Sequence, residues 1–353
     1  MVDDPDALLE TFSAYTYAYN KCASWGYHNK STNKVLNHHA TYKQIREDMP
    51  EFPSALIQCA RDCACEALKA TKCKVIPKRK EFSAMRYNKQ VITVNLIHGI
   101  ATIASIAGRI KAQFSLPKVY EKYLTWTLKS SNLQYREQTK EFYLLVQVES
   151  LDPPMQDDVS ILGIDRGIKN IAVCSDNTFF GASKVKNVRC KYKRLRAKLQ
   201  SKGTKSAKRL LKRMSGKERR FQTDVNHCIS KEIVSKPNTI FVLEDLSGIR
   251  PSKKEGSSKG KTMNFWLSSW SFFQLEQFIE YKAEDQGKVV LKVDPAYTSQ
   301  ECSNCGKINK NNRRGLRYKC SCGLELNADL NAARNIANRG MSVVSRVLST
   351  THT

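Results

Sequence analysis

Four cysteines constrain the fold of this chain more tightly than any other feature. Cys302 and Cys305 are separated by two residues, a 14-residue gap follows, and Cys320 and Cys322 are separated by one, with Gly306 or Gly323 directly after each pair. Four thiolates from two tight turns, around one tetrahedral Zn²⁺, make a zinc ribbon, and the glycines let backbone amides approach the sulfurs. The second pair is one residue shorter than the usual Cys-x2-Cys. Its turn must therefore be tighter, or one ligand must come from elsewhere. The alternative, four buried thiols without metal, fits poorly with so polar a surrounding sequence.

The other cysteines, of twelve in all, invite a disulfide framework. The opening MVDDPDALLE is acidic where a secretory signal would be basic and then apolar, so reduced thiols are expected. No apolar run approaches the roughly 18 residues that span a bilayer. These readings predict a soluble protein of the cytoplasm, at the nucleoid of a prokaryote. With 353 residues, 41% of them hydrophobic, the chain can bury a sizeable core in two or three domains.

Lys and Arg number 59 against 33 Asp and Glu, a net charge of +26. A polyanion is the natural partner. Anionic membrane would call for a basic amphipathic helix with a large apolar face, which the densest basic stretch lacks. That stretch, residues 184–220, holds 17 Lys or Arg and a single acid, Glu218. It reads as long helices around a Ser-Lys-Gly turn near residue 202, with Lys191, Lys193, Arg194, Arg196, Lys205, Lys208, Arg209, Lys212 and Arg213 as nucleic-acid contacts. By charge alone it is equally a solvated face that binds any duplex.

Apolar residues Leu8, Leu9, Phe12, Tyr15 and Tyr19 recur at helical steps, and Pro50 and Pro53 precede a further helix over about 54–70. From about Phe82 to Val148 the pattern alternates, as in QVITVNLI and EFYLLVQVE, and predicts a small antiparallel β-domain. LDPPMQDD, residues 151–158, reads as a linker. SILGIDRGIKNIAVCSDNTFFG then predicts a hairpin with Asp165 closing its first strand, and NTIFVLEDL a buried strand that ends on Glu244. The Lys, Ser and Gly stretch Arg250–Lys261 reads as a loop, WSFFQLEQFIEYKAEDQG as a helix and VVLKVDP as a strand. ADLNAARNIANRG is expected to be a final helix closed by Gly340, with a tail from about residue 346 that needs no structure.

Asp165 and Glu244 at strand ends and Asp329 at a helix start stand where an α/β sheet gathers acids. Two-metal phosphodiester hydrolysis needs such a set, since carboxylates hold two Mg²⁺ about 4 Å apart, one activating water and one stabilising the leaving oxygen. Each acid taken singly is no more than a cap or a loop charge. The order strand-Asp, strand-Glu, helix-Asp is what points to a site.

ILGIDRGIKNIAV, FVLEDLSGI, SSWSFFQLEQFIEYKAEDQG, VDPAYTSQECSNCG and CGLELNADLNAARNIA together resemble the C-terminal half of TnpB, a transposon-associated relative of compact type V CRISPR effectors. Upstream, PSALIQCARDCACEALKA and RYNKQVITV resemble that family's helical lobe and β wedge. The resemblance implies an α+β multidomain protein: a helical recognition lobe over 1–75, a β wedge over 76–155, and an RNase H-like (RuvC) α/β nuclease domain from 156. That domain carries basic helices at 184–235 in a first part reaching 299, a zinc-ribbon insert over 300–325 and a last helix over 326–345. It further implies catalysis by Asp165, Glu244 and Asp329, with Asp165 bridging two Mg²⁺, and one structural Zn²⁺. The partners implied are a guide RNA encoded at the transposon end and a double-stranded DNA target, with a homodimer left open. A nuclease-inactive RNA-guided repressor and an unguided structure-specific nuclease are the rival readings. An actin-like ATPase, suggested by GIDRG, lacks further phosphate-binding loops. The family usually begins with a wedge strand, whereas this chain enters its first helix almost at once.

Other residues tempt. Cys59, Cys63, Cys65 and Cys73 suggest a second metal site, but only the first two share a helical face, so core packing is expected. His38 and His39 lack the His-x-His of single-strand transposases. His227 is expected to be a structural histidine, and Trp266 and Trp270 to be core rather than stacking platforms.

Affinity for nucleic acid is expected to fall by about 10³ or more between about 50 and about 200 mM salt if roughly 6 to 10 phosphates are engaged. A flat response in a filter-binding titration would remove the basic-groove reading.

Overall fold

A computed structural model describes residues 2–154, 158–247 and 272–351, with the side chains of 347–351 left aside. Arg250–Lys261, Trp266 and Trp270 lie outside the described residues. The chain divides into two compact units, Met1–Leu151 and Asp152–Thr353.

The first unit opens with three helices, α1 (Pro5–His28), α2 (Lys34–Asp48) and α3 (Ser54–Ala70). Asp4 caps α1 by accepting from the Ala7 amide at 3.0 Å, and Pro5 starts the helix where its missing N–H costs nothing. Asn33 caps α2 in the same way. Six strands follow, β1 (Met85–Tyr87), β2 (Ile92–Asn95), β3 (Ile100–Ser105), β4 (Gly108–Gln113), β5 (Thr127–Arg136) and β6 (Glu141–Glu149). They form two antiparallel sheets, β1-β5-β6 and β2-β3-β4. Leu8, Phe12 and Tyr15 of α1, Leu56 and Ala60 of α3, and Met85, Tyr87 and Ile103 of the sheets share one core. Cys59 and Cys65 are buried in that unit, and among the described residues no metal-ligand group forms there. Ahead of α1, Val2 makes a single antiparallel bridge to Ala112 of β4.

The second unit is built on a five-stranded sheet. β7 (Ile161–Asp165), β8 (Asn170–Cys174) and β9 (Phe179–Gly181) form an antiparallel meander, and β10 (Ile240–Glu244) and β11 (Val289–Val293) continue the sheet parallel to β7. The order β11-β10-β7-β8-β9 is that of an RNase H-like fold. The central strands are apolar up to their last residues because both faces are covered. Phe241 and Leu243 point to the side of α6 (Lys217–Val234) and α7 (Phe272–Glu284), packing with Ile229, Ile233, Leu275 and Ile279. Val242 points the other way, to Ile336 of α8 (Ala328–Thr351). Between β9 and α6 run the basic helices α4 (Ser183–Lys202) and α5 (Lys205–Met214), joined through Gly203 at φ 62°. Between β11 and α8 lies a small antiparallel sheet of β12 (Arg313–Arg314), β13 (Arg317–Lys319) and β14 (Glu325–Asn327).

The final helix does not close at Gly340. It runs on to Thr351, through the expected tail. Gly340 is small for a packing reason: a Cβ there would sit 2.3 Å from Val242 Cγ2. Gly163 on β7 meets the same helix more severely, since a Cβ would lie 2.1 Å from the Ala333 carbonyl oxygen and 2.5 Å from the Ala337 nitrogen.

Gly163→Ala should therefore cost about 3 kcal/mol or more of stability, at the upper end of overpacking penalties because a backbone atom cannot rotate away. Gly340→Ala meets only a side chain, and Val242→Ala should restore most of its loss. Urea midpoints of the three variants and the double variant check this; equal losses for the two glycines would refute it.

Candidate functional site

Period-two alternation along β7 and β10 puts Gly163 and Asp165, and Val242 and Glu244, on the face that meets α8. The parallel register pairs Leu243 with Ile164, so the next step brings Glu244 beside Asp165 on strands about 4.8 Å apart. Asp329 lies in the first turn of α8, whose N-terminus is capped by Asn327 accepting from the Asp329 amide at 2.9 Å. The close approach at Gly163 brings that turn to the strand ends. The structure thus brings the three acids to one end of the strands, near enough for Glu244 and Asp329 to act on Asp165, though among the described residues they do not form a metal-ligand group as the four cysteines do.

Their electrostatics follow from this crowding. Asp165 keeps partial access to solvent, yet loss of surrounding water, reinforced by Glu244 and then Asp329, pushes its carboxyl up to about 8. Burial also raises Glu244, opposed first by a hydrogen bond from Thr298 and then by the charge of Arg166. Asp329 Oδ1 accepts from Arg313 Nη2 at 3.0 Å and Oδ2 from Asn170 Nδ2 at 2.9 Å. Each of those oxygens keeps a second lone pair, so the donor set still suits a hard divalent cation. Arg166 is 5% exposed; it donates to the Glu244 carbonyl and to Glu276 Oε2, both at 2.6 Å, and so ties β7, β10 and α7 together.

The four thiols converge as the ribbon reading expects. Among the described residues they are the one group whose ligand atoms all lie within 4.8 Å of one another. Cys302 and Cys322 Sγ are 3.6 Å apart, as are Cys305 and Cys320, close to the roughly 3.7 Å edge of a tetrahedral Zn–S4 centre. The shorter second pair needs no outside ligand. Gly323, at φ 94°, closes the turn with its amide 3.1 Å from the Cys320 carbonyl. The Leu324 amide and then Asn304 lower Cys322 to about 6, and the Cys322 amide lowers Cys320, so both favour the thiolate a metal requires. The cluster could bind zinc.

Lys191, Lys193, Arg194, Lys205, Lys208, Arg209, Lys212 and Arg213 are solvent-exposed on α4 and α5, whereas Arg196 is engaged by Glu218 at 2.6 Å. His227 stacks on Phe278 with centroids 3.9 Å apart, as a structural histidine does. His38 packs against Tyr42. Thr298, Arg313, Asn170 and Arg166 escaped the sequence reading. Arg166 directly follows Asp165 in GIDRG, and the stripe Asn331, Asn335, Asn338 on an apolar helix was a signal that something polar must be held there.

Comparison with known proteins agrees with this architecture. Residues 272–336 match the family model described as "Cas12f1-like, TNB domain", and residues 132–253 match that described as "Probable transposase". A CRISPR-associated endodeoxyribonuclease Cas12f1 of Sulfoacidibacillus thermotolerans is 45% identical over 124 residues, 33% of this chain and 27% of that one. InsQ of Escherichia coli K12, provisionally described as an RNA-guided DNA endonuclease, is 30% identical over 61% of this chain and 58% of its own length. A TnpB-like protein of Methanocaldococcus jannaschii is 35% identical over 46% of this chain and 59% of its own. The chain thus spans between about a quarter and three fifths of the length of these curated relatives. A cryo-EM Cas12f1 structure shares the fold, with TM-score 0.64 at 15% identity, covering 94% of this chain and 83% of that one.

Fold and site define an RNase H-like α/β protein with an embedded four-thiol ribbon. The chain is similar over these segments to TnpB-like proteins and to the compact Cas12f effectors. No described helix is long and apolar enough to cross a membrane.

The pH response follows from Asp165. Its folded value of about 8 lies above the ordinary 3.8, so the folded chain holds a proton that the unfolded chain releases. That contribution to stability is complete below about pH 3.8 and is lost as pH rises through about 8. Without divalent cation, the melting temperature of the native protein should fall relative to Asp165→Asn from about pH 4 to about pH 8 and then run level with it. Parallel melting curves would refute the shift.

Proposed function

We propose that this chain is an RNA-guided DNA endonuclease of a transposable element, hydrolysing phosphodiester bonds at Asp165, Glu244 and Asp329. The observation that carries the reading is the approach of three acids from distant segments to one end of the strands, where Asp165 is pushed up to about 8 by burial and by its two neighbours. Such crowding is relieved by a proton or by a cation, and a divalent cation is the partner a phosphodiester-cleaving site would take.

Asp165, Glu244 and Asp329 would hold two Mg²⁺. When bound, such a pair activates a water and stabilises the leaving oxygen. The protein's own groups do the rest. Asn170 and Arg313 orient Asp329, Arg166 fixes the end of β10, and Arg313 offsets the negative charge of all three carboxylates. Cys302, Cys305, Cys320 and Cys322 would hold one structural Zn²⁺.

In this reading residues 1–75 are the recognition lobe and 76–155 the β wedge. The exposed cations of α4 and α5 line a heteroduplex of guide RNA, encoded at the transposon end, and target DNA. The site of action is the nucleoid, and two copies per RNA are compatible with it. The relatives' names, and the guide RNA and target DNA in the Cas12f1 complex, support this assignment.

The test is to express the protein with its native flanking DNA, sequence the RNA that co-purifies, and assay Mg²⁺-dependent cutting of a plasmid bearing the matching target. One abundant flank-derived RNA is expected, with cutting reduced about 10⁴-fold or more in Asp165→Ala, as when one member of a catalytic set is lost. Random cellular RNA would overturn the guidance claim. Cutting that survives Asp165→Ala would overturn the site assignment.

A further inference from the structure

After β11 the chain bends sharply before the first thiol pair. Tyr297 sits at φ 63°, a conformation that a non-glycine residue adopts only when its neighbours over-determine it. The bend leaves Tyr297 58% exposed and turns Thr298 inward to 3%.

Thr298 has one hydroxyl hydrogen and two acceptors in reach, Glu244 Oε1 and the Pro295 carbonyl at 3.1 Å. The ionised acceptor makes the stronger bond. Glu244 Oε1 is then tied down, and among the described residues Oε2 has no hydrogen-bond partner. One carboxylate oxygen is thus fixed by protein and the other left for a cation.

Thr298 is itself held. Asn335 Nδ2 donates to the Thr298 carbonyl at 2.8 Å and to the Glu301 carbonyl at 2.7 Å. Asn331 Nδ2 reaches the Glu301 carbonyl at 2.6 Å, and its Oδ1 accepts from the Ser303 amide at 3.0 Å. Asn331 and Asn335 are 0% and 2% exposed, and these contacts are all to backbone. Buried amides used in this way fix geometry. Both stand on α8, the helix that presents Asp329.

We propose that Thr298 is a positioning residue for Glu244, and that Asn335 sets it from α8, so that one helix places two of the three carboxylates relative to each other. This rests on the reading that Glu244 holds a divalent cation. The competing account is that Thr298 merely closes the turn at Pro295, in which case its hydroxyl matters to stability and not to metal.

The experiment uses the full-length, zinc-loaded protein without nucleic acid. Mn²⁺ is titrated into wild type, Thr298→Val, Thr298→Ser and Glu244→Gln, free ion is followed by electron paramagnetic resonance, and melting temperature and zinc content are measured alongside. Thr298→Val should weaken Mn²⁺ binding about 10-fold or more, the cost of losing a residue that orients a ligand, while Thr298→Ser stays within about twofold of wild type. Should the valine variant not fold, Thr298→Ala against Thr298→Ser makes the same comparison. A lowered melting temperature with unchanged Mn²⁺ affinity in Thr298→Val, or equal affinities for the serine and valine variants, overturns the proposal. Unchanged binding in Glu244→Gln overturns the cation reading and the proposal with it; weakened binding in Glu244→Gln alone overturns only the positioning role.

Discussion

Helix α8 lies against the sheet at a distance that only a missing side chain permits. A Cβ at Gly163 would fall 2.1 Å from the Ala333 carbonyl oxygen, inside any van der Waals contact. The rest of the second unit depends on that approach. It brings the first turn of α8, with Asp329, to the ends of β7 and β10, and it lets Asn331 and Asn335 hold the root of the ribbon. Gly340 repeats the device against Val242, so two glycines on two elements set one spacing. The energy that holds the helix there is ordinary apolar burial, through Leu330, Ala333 and Ile336.

Against that packing stands an electrostatic conflict. Three carboxylates are drawn to one end of the strands, where burial disfavours the charged forms of Asp165 and Glu244, and Glu244 and Asp329 add to the effect on Asp165. The surroundings relieve this in part. Arg166 is itself buried and paired with Glu276, and Arg313 reaches Asp329 from the ribbon. A fold that places these groups together gives up stability that a smooth apolar edge would have kept, which is how a site differs from a core.

The legible part of the molecule was whatever is written in local pattern. GIDRG between apolar runs marked β7 and Asp165, FVLED marked β10 and Glu244, and the thiol spacing marked the ribbon, because strand periodicity and metal-ligand geometry are properties of neighbouring residues. What escaped was set by contacts between residues distant in sequence. Gly340 reads as a helix stop by local rules, yet it is a packing gap against Val242, and the helix passes through it. Thr298 and Arg313 look like ordinary polar residues of a turn and a strand until the carboxylates they touch are brought from elsewhere. Arg196 reads as one more exposed cation, and only the fold shows Glu218 beside it.

The placement of the acids along the chain has a consequence for biosynthesis. Asp165 and Glu244 emerge from the ribosome before the ribbon, and Asp329 after it, so the site closes only when α8 docks onto strands made long before. Contacts of such high sequence separation form late and slowly. The basic helices α4 and α5 precede α8 in the same order. A nascent chain therefore exposes the positive surface of α4 and α5 before its three carboxylates are together.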